Sequence, residues 1–330
     1  MCATGHAATG APLCAVPGMR YADAVLLNQL EYLTALARER HFGRAAAACH
    51  VSQPALSSAI RKLEQDLRVQ VVRRDRRFGG FTPEGEVVLA WAHRILQDRD
   101  SLRQELARMA GGLAGNLQIG AIPSALTVSS LLTEPFTARH PAVRIGLESL
   151  SSRAIVRRLA EFELDVGMTY VDGEPLGPVR TVPLYVERYL LLAPEEMAAA
   201  RREEIGWTEL AEIPLCLLSQ VMQNRRILDR NAAAAGVVLA PSVEADAVSV
   251  LYSHVATGRF ATVVAHAWLH LFGVPGGMRV VPMAEPAHSY TIGLVLPDRQ
   301  PGSLLARAFV DVVTGVDLRG ELDVLLARHV

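Results

Sequence analysis

The tripeptide Ser52-Gln53-Pro54 starts a helix inside a stretch that otherwise reads as continuous helix, and that break constrains the fold more than any other feature of the chain. Ser52 can cap a new helix, because its hydroxyl oxygen accepts from an early backbone N–H, and Pro54 is tolerated only in the first turn. Leu56, Ile60, Leu63 and Leu67 then recur at spacings of four, three and four, the mark of one buried stripe. Upstream, Leu30, Leu33 and Leu36 or Ala37 are at helical spacing, residues 44–49 form a short alanine-rich helix, and His50-Val51-Ser52 makes the turn. Short helix, tight turn and longer helix are the helix-turn-helix pattern. Residues 69–82, with Val69, Val71 and Val72, a charged turn over 73–77 and then Phe78-Gly-Gly-Phe81, suit a two-stranded wing.

Charge supports a separate N-terminal module. Residues 30–83 carry ten Lys or Arg against five acids, net +5, so with a formal total of −1 the remainder is net −6. A small basic module on a larger acidic body suggests a polyanion binder coupled to something else. The arginines as a class say nothing, since Lys62 is the one lysine among 33 basic residues.

Residues 83–110 predict one long helix with Val88, Ile95, Leu102 and Met109 seven apart, a heptad seam; packing on its own module is the competing role for that stripe. Gly111, Gly112 and Gly115 end it. Beyond them, strands are predicted at 117–121, 143–147, 165–170, 189–193, 215–218, 262–265 and 290–296, with helical stretches between, an α/β pattern with a mostly parallel sheet. The 330 residues are enough for about two domains at roughly 150 residues each.

The run from Glu39 to Glu86 resembles the N-terminal module of the LysR-type transcriptional regulators. The matching points are Phe42, Ala45-Ala46, Val51-Ser-Gln-Pro-Ala-Leu-Ser57, Ile60, Leu63-Glu64, Leu67, Arg74 and Phe81-Thr-Pro-Glu-Gly85. With the long helix and the α/β body in the family's order, the resemblance extends over residues 25–330. It implies an extension over 1–24, expected to be flexible with Met19 as an alternative start, and a winged helix-turn-helix DNA-binding domain over 25–83. A dimerisation helix over 84–110 and an effector-binding domain over 111–330 would follow. That last domain would have two α/β lobes like those of periplasmic binding proteins, lobe I at about 116–187 and 287–330 and lobe II at about 188–286, with hinges near 186–189 and 283–290.

The resemblance also implies roles for residues. Gln53, Pro54 and Ser57 would face base edges in the major groove, and Ser52 with the helix N-terminus would meet a phosphate. Arg73, Arg74, Arg76 and Arg77 of the wing would contact backbone or minor groove, with Arg44 and Arg61 as phosphate partners. Many relatives carry Arg where this chain has Ser58, so a strong guanine contact is missing and sequence preference leans on DNA shape. Val88, Ile95 and Leu102 would pair two subunits, as a homodimer or homotetramer. Ser124, Thr127, Ser151, Ser152, Thr169, Ser219, Gln223 and Asn224 would line the effector cleft, whose hydroxyls favour a small anion such as formate; the competing role for the serines is helix capping.

Other chemistry finds little support. His266 and His270 are four apart but lack the glutamate and third ligand of a metal site, and no nucleophile elbow, phosphate loop or acid–base set appears, so no catalytic residue, metal or cofactor is expected. Cys2, Cys14, Cys49 and Cys216 form no CxxC pair. No apolar run reaches the roughly 18 residues of a membrane span, and the N-terminus does not read as a secretory signal, so a cytoplasmic regulator is expected, with promoter DNA, a small effector and RNA polymerase as its partners. The alternatives are a small-molecule-binding protein without promoter recognition and, further off, an enzyme.

Overall fold

In the computed structural model, residues 25, 27–74, 78–109, 112–284, 289–298 and 302–329 are described. The extension over 1–24, Arg76, Arg77 and the middle of the second expected hinge lie outside them, as does the side chain of Arg74. The chain divides into two compact units, one up to Leu96 and one from Gln97.

The first unit holds α1 (Leu27–Glu39), α2 (Phe42–Ala48), α3 (Gln53–Leu67), the wing strands β1 (Val72–Arg74) and β2 (Phe78–Phe81), and the start of α4 (Pro83–Met109). Local chemistry fixes each boundary. The His41 ring nitrogen accepts from Gly43 N and Arg44 N at the head of α2, and Ser52 Oγ accepts from Ala55 N at the head of α3. Arg68, in the left-handed conformation, ends α3. The Glu64 carboxylate accepts from Val71 N and Val72 N at 3.0 and 3.1 Å, which ties the wing to the third helix. Leu33, Leu36, Leu56, Ile60, Leu63, Val71 and Val72 form the core.

The first position of the expected seam of α4 is partly covered within its own unit. Val88 packs on the helix-turn-helix core beside Leu89, Ala92 and Leu96, which is why the division between units falls inside the helix. Ile95 and Leu102 are exposed, and the apolar residues exposed with them are Val87, Trp91, Leu106 and Met109.

The second unit is a two-lobe α/β body. In lobe I, β3 (Gly115–Ala121), β4 (Val143–Ser149), β5 (Val166–Tyr170), β6 (Val179–Val186) and β12 (Thr291–Pro297) form a sheet in the order β4-β3-β5-β12-β6. Helices α5 (Pro123–Leu126), α6 (Ser129–Arg139), α7 (Ser152–Ala160), α11 (Leu304–Val313) and α12 (Leu318–Ala327) belong to the same unit. In lobe II, β7 (Tyr189–Pro194) lies between β10 (Thr262–Ala265) and β11 (Met278–Pro282), and a bridge from Leu215 to Ala261 joins them to the pair β8 (Cys216–Leu218) and β9 (Val243–Ala245). Helices α8 (Gln223–Ala234), α9 (Val248–Val255) and α10 (Trp268–Phe272) complete it.

The sheets are more antiparallel than expected. β3 runs parallel to β4 and β5, and β8 to β9, but β12 is antiparallel to β5 and β6, and β7 to β10 and β11. The cause is the return of the chain to lobe I, which inserts β12 between two strands laid down earlier. Strands β6, β9 and β11 were not legible as strands. Each is at the edge of its sheet, as are β4 and β10, which were legible; an edge strand needs only one ladder, so β6 tolerates Pro183.

Gly85 marks the tightest join in the first unit: a Cβ there would come within 2.0 Å of the Val71 carbonyl oxygen. Gly85→Ala is therefore expected to force helix and wing apart and to destabilise this unit by about 1–3 kcal/mol. Hydrogen exchange on the full chain should show faster amides in α1 to α3, with α6 and α11 unchanged.

Candidate nucleic-acid interface and ligand site

The buried stripe of α3 leaves its opposite face free. Gln53, Pro54, Ser58 and Arg61 are exposed along one side of the helix, Ser57 is half-buried at its margin, and Leu56, Ile60 and Leu63 point into the core. The first turn carries no acidic side chain, so the helix N-terminus presents its unpaired N–H groups without a competing negative charge. Arg73 is exposed on β1. Two expected contacts are already engaged within the chain. Ser52 Oγ is occupied as the cap of α3, and the Arg44 guanidinium donates to the Glu39 carbonyl at 2.5 Å and is 3.7 Å from its carboxylate.

In the second unit, the chain crosses from lobe I to lobe II through Glu187-Arg188, between β6 and β7. Glu187 N donates to Tyr290 O beside the start of β12, which brings both crossings together. Here the end of β5, the first turn of α5, the crossing and the first turn of α8 converge. Glu187 is fully buried. Its Oε2 accepts from Tyr170 at 2.6 Å and from Tyr189 at 3.1 Å, and Asn224 Nδ2 donates to the Tyr170 oxygen at 3.4 Å. Glu187 Oε1, Asn224 Oδ1 and both polar atoms of Gln223 are buried with no hydrogen-bond partner. The Ser124 hydroxyl lies near enough to Glu187 to favour its charged form, yet makes no well-formed hydrogen bond.

Burial pushes the Glu187 carboxyl up to about 7, against the three hydroxyls that hold it down. The Tyr170, Tyr185 and Tyr189 phenols are raised well above the usual tyrosine range, burial first and negative neighbours after it.

The eight expected cleft residues separate into two groups. Ser124, Gln223 and Asn224 keep polar atoms open at the convergence. The other five are used by the fold. Ser151 caps α7 through Ala154 N, Thr169 donates to Ser152 at 2.9 Å, and Ser219 donates to Asp246. Thr127 donates to Ser124 O at 2.7 Å and to Ala267 O at 3.1 Å, so it ties the lobes together. Glu187 and its tyrosines were not foreseen. The signal was present in Tyr185, Glu187 and Tyr189, spaced two apart as on one face of an extended segment.

Two further polar side chains, Asp165 and His266, are engaged within the fold. Asp165 accepts from Gln118 N at 2.9 Å and from Gln97 at 3.3 Å. His266 is buried and accepts from Arg188 N, and burial lowers it to about 4. Among the described residues no cluster of three metal-ligating side chains occurs. A cavity of about 570 Å³ lined by Asp165, Arg180 and Arg307 lies at the start of β5, away from the Tyr170 end.

Two family models match the chain: the LysR substrate binding domain over residues 110–317, and the bacterial regulatory helix-turn-helix protein of the lysR family over 27–86. The chain belongs to the LysR family. It is thus a DNA-binding, ligand-responsive transcriptional regulator and not an enzyme. The Escherichia coli K12 dual regulator OxyR is 30% identical over 315 residues, covering 92% of this chain and 99% of that protein. A probable hydrogen peroxide-inducible genes activator of Streptomyces viridosporus is 31% identical over 281 residues, 82% of this chain and 87% of that one. Among solved structures, a full-length OxyR variant from Pseudomonas aeruginosa superposes with a TM-score of 0.70 at 26% identity, over 89% of this chain and 98% of that one. CbnR in complex with its target DNA gives 0.63 at 18% identity, over 88% and 99%, a likeness of fold.

For a LysR regulator with this crossing, stability should carry a pH signature of Glu187. Its folded value of about 7 exceeds the ordinary 4.5, so no penalty exists below pH 4.5. Stability then falls as pH rises through 4.5 to 7, and at pH 8 the full cost is about 3 kcal/mol. His266 acts in the opposite sense, adding stability as pH rises from 4 toward 6.5, so the quantity to measure is the difference from Glu187→Gln. Denaturant unfolding should show the variant gaining on the wild type between pH 4.5 and 7; a difference that does not vary with pH excludes a buried, titrating Glu187.

Proposed function

We propose that this protein is a cytoplasmic one-component regulator that reads promoter DNA with the exposed face of α3 and responds to a small molecule at the Glu187 crossing. Gln53, Pro54, Ser57 and Ser58 meet base edges, and the N-terminus of α3, Arg61 and the wing arginines Arg73, Arg74, Arg76 and Arg77 meet phosphates. Arg44, engaged with Glu39, keeps one side open to a phosphate. The observation that carries this reading is the division of α3 into a buried leucine and isoleucine stripe and a polar face free of acids at its N-terminus.

Two copies place two such helices on an imperfect dyad. The exposed stripe of Ile95, Leu102, Leu106 and Met109 on α4 supports pairing into a homodimer or homotetramer. Ligand binding shifts the assembly between DNA-bending states, which recruits or excludes RNA polymerase.

Hydrogen peroxide chemistry at a thiol is not part of the proposal, although relatives carry that name. Of the two cysteines among the described residues, Cys216 is buried and pushed up to about 11, and burial raises Cys49 as well, which disfavours the thiolate that such a reaction needs at both. A small anion such as formate fits poorly. It would meet the buried carboxyl of Glu187 beside the free donors there, which among the described residues are the Ser124 and Tyr185 hydroxyls and the Gln223 amide nitrogen.

Fluorescence anisotropy on the chain's own upstream region, against random duplex at several salt concentrations, tests the DNA assignment. Gln53→Ala should lose roughly tenfold or more on cognate DNA while keeping its affinity for random duplex. Arg61→Ala should weaken both alike and reduce the salt slope by about one. Equal losses on both duplexes for both variants would remove Gln53 from base reading.

A further inference from the structure

We propose that the C-terminal end of α3 is a second phosphate seat, where Arg68 takes a backbone phosphate of duplex DNA next to the one met by Arg61. This rests on the reading of α3 as the DNA-reading helix and adds a residue to its contacts.

The first argument is backbone conformation. At the end of α3, Val69 N donates to Glu64 O at 3.1 Å and Arg68 N to Gln65 O at 3.3 Å. That pair of bonds requires a left-handed residue at the turn, and Arg68 has φ 57° and ψ 31°. Glycine takes this conformation without strain, whereas any larger side chain there crowds its own backbone. Arg68 is nevertheless exposed, and its guanidinium makes no hydrogen bond or ion pair among the described residues. Attraction to the carbonyl end of the helix would be available from any position of the last turn, which carries no basic residue. Strain retained for a side chain that supports nothing in the fold points to a use outside it.

The second argument is charge. Arg61 and Arg68 line one shallow groove with Gln65 and Gln70, all four exposed. The acid on its wall, Glu64, has its carboxylate on Val71 N and Val72 N, and Lys62 is paired with Asp66 at 2.5 Å. Among the described residues neither Arg61 nor Arg68 pairs with a carboxylate. Two unopposed cations on one groove repel in the free protein, and a polyanion laid along it removes that repulsion.

The third argument is reach. Gln53, Ser57, Arg61, Gln65 and Arg68 follow at spacings of four, four, four and three, along one side of the helix. The 15 residues of α3 rise about 22 Å, whereas the major groove is about 12 Å wide. With its first turns at the base edges, a straight helix carries its last turns past the groove floor to the phosphates that wall it. A basic side chain there meets backbone and not base.

The test uses the full chain, with anisotropy on cognate and random duplexes over a range of salt. Arg68→Gly removes the guanidinium and the strain together. Hydrogen exchange in α3 should slow by about threefold or more. Affinity for both duplexes should fall roughly five- to tenfold at about 0.1 M salt, with the salt slope lower by about one. A variant that unfolds less and binds less cannot owe its loss to unfolding. Arg68→Lys should keep the slope, and Arg61→Ala combined with Arg68→Gly should lower it by about two. Unchanged binding by Arg68→Gly, a loss confined to the cognate duplex, or exchange no slower than in the wild type each overturns the seat. If Gln53→Ala and Arg61→Ala are silent as well, the reading of α3 as the DNA-reading helix fails with it. If those two act and Arg68→Gly alone is silent, that reading stands without the seat.

Discussion

A carboxyl group sealed from water at the point where the chain passes between two lobes is the constraint on which the rest of the ligand-binding unit depends. Glu187 cannot be moved to the surface without breaking the crossing. Its backbone N–H pairs with Tyr290 O, and its neighbours Val186 and Tyr189 belong to strands in different sheets. Two phenols, supplied one by each lobe, donate to the same oxygen. The charged form of a group so placed is costly in the absence of a counter-ion, so its partners are arranged to tolerate the neutral form at rest. Whatever enters the site is selected by that balance before shape is considered.

The DNA-reading unit depends on a different and more local constraint. Ser52 and Pro54 fix where α3 begins, and the Leu56, Ile60 and Leu63 stripe fixes which face turns inward. Gln53, Ser58 and Arg61 then have no freedom in where they point. Glu64, one turn beyond, uses its carboxylate on two wing amides, so the wing is registered to the reading helix by a side chain of that same helix. Base-reading and phosphate-contacting groups are thus held on one rigid support, the condition for contacts of useful precision.

This difference explains what was legible in the sequence. The helix-turn-helix could be read residue by residue because caps, proline and helical spacing act within a few positions of each other. The lobes were legible as α/β, and the strands with central places in their sheets were found. Of the edge strands, β4 and β10 were found and β6, β9 and β11 were missed, so a place at the edge does not by itself decide legibility. Val88 shows the limit of a heptad: spacing of seven puts it in line with Ile95 and Leu102, but spacing cannot say that the helix-turn-helix core covers the first of them. Glu187 was missed because its neighbours Ser124, Tyr170 and Asn224 come from segments far apart in the chain. The hydroxyls of Ser151, Ser152, Thr169 and Ser219 make hydrogen bonds within the fold, and because a cap and a ligand contact use the same residue types the sequence does not separate the two roles.

The same geometry bounds how strongly a ligand must bind in order to act. Across the lobes, Thr127 donates to Ala267 O, Asn224 to the Tyr170 oxygen at 3.4 Å, and Arg226 makes a two-bond pair with Glu174 in which both side chains are about one-fifth exposed. Neutral hydrogen bonds contribute about 1 kcal/mol each, and a partly exposed ion pair about as much. These ties hold one arrangement of the lobes without fixing it irreversibly. A ligand shifts such a balance only by its difference in affinity for the two arrangements, tenfold for each 1.4 kcal/mol. Because Glu187, Tyr189 and Asn224 come together only when the crossing and α8 meet lobe I, a ligand that bonds to all of them has that difference built in. A ligand bound to one lobe alone, however tightly, would leave the equilibrium where it was.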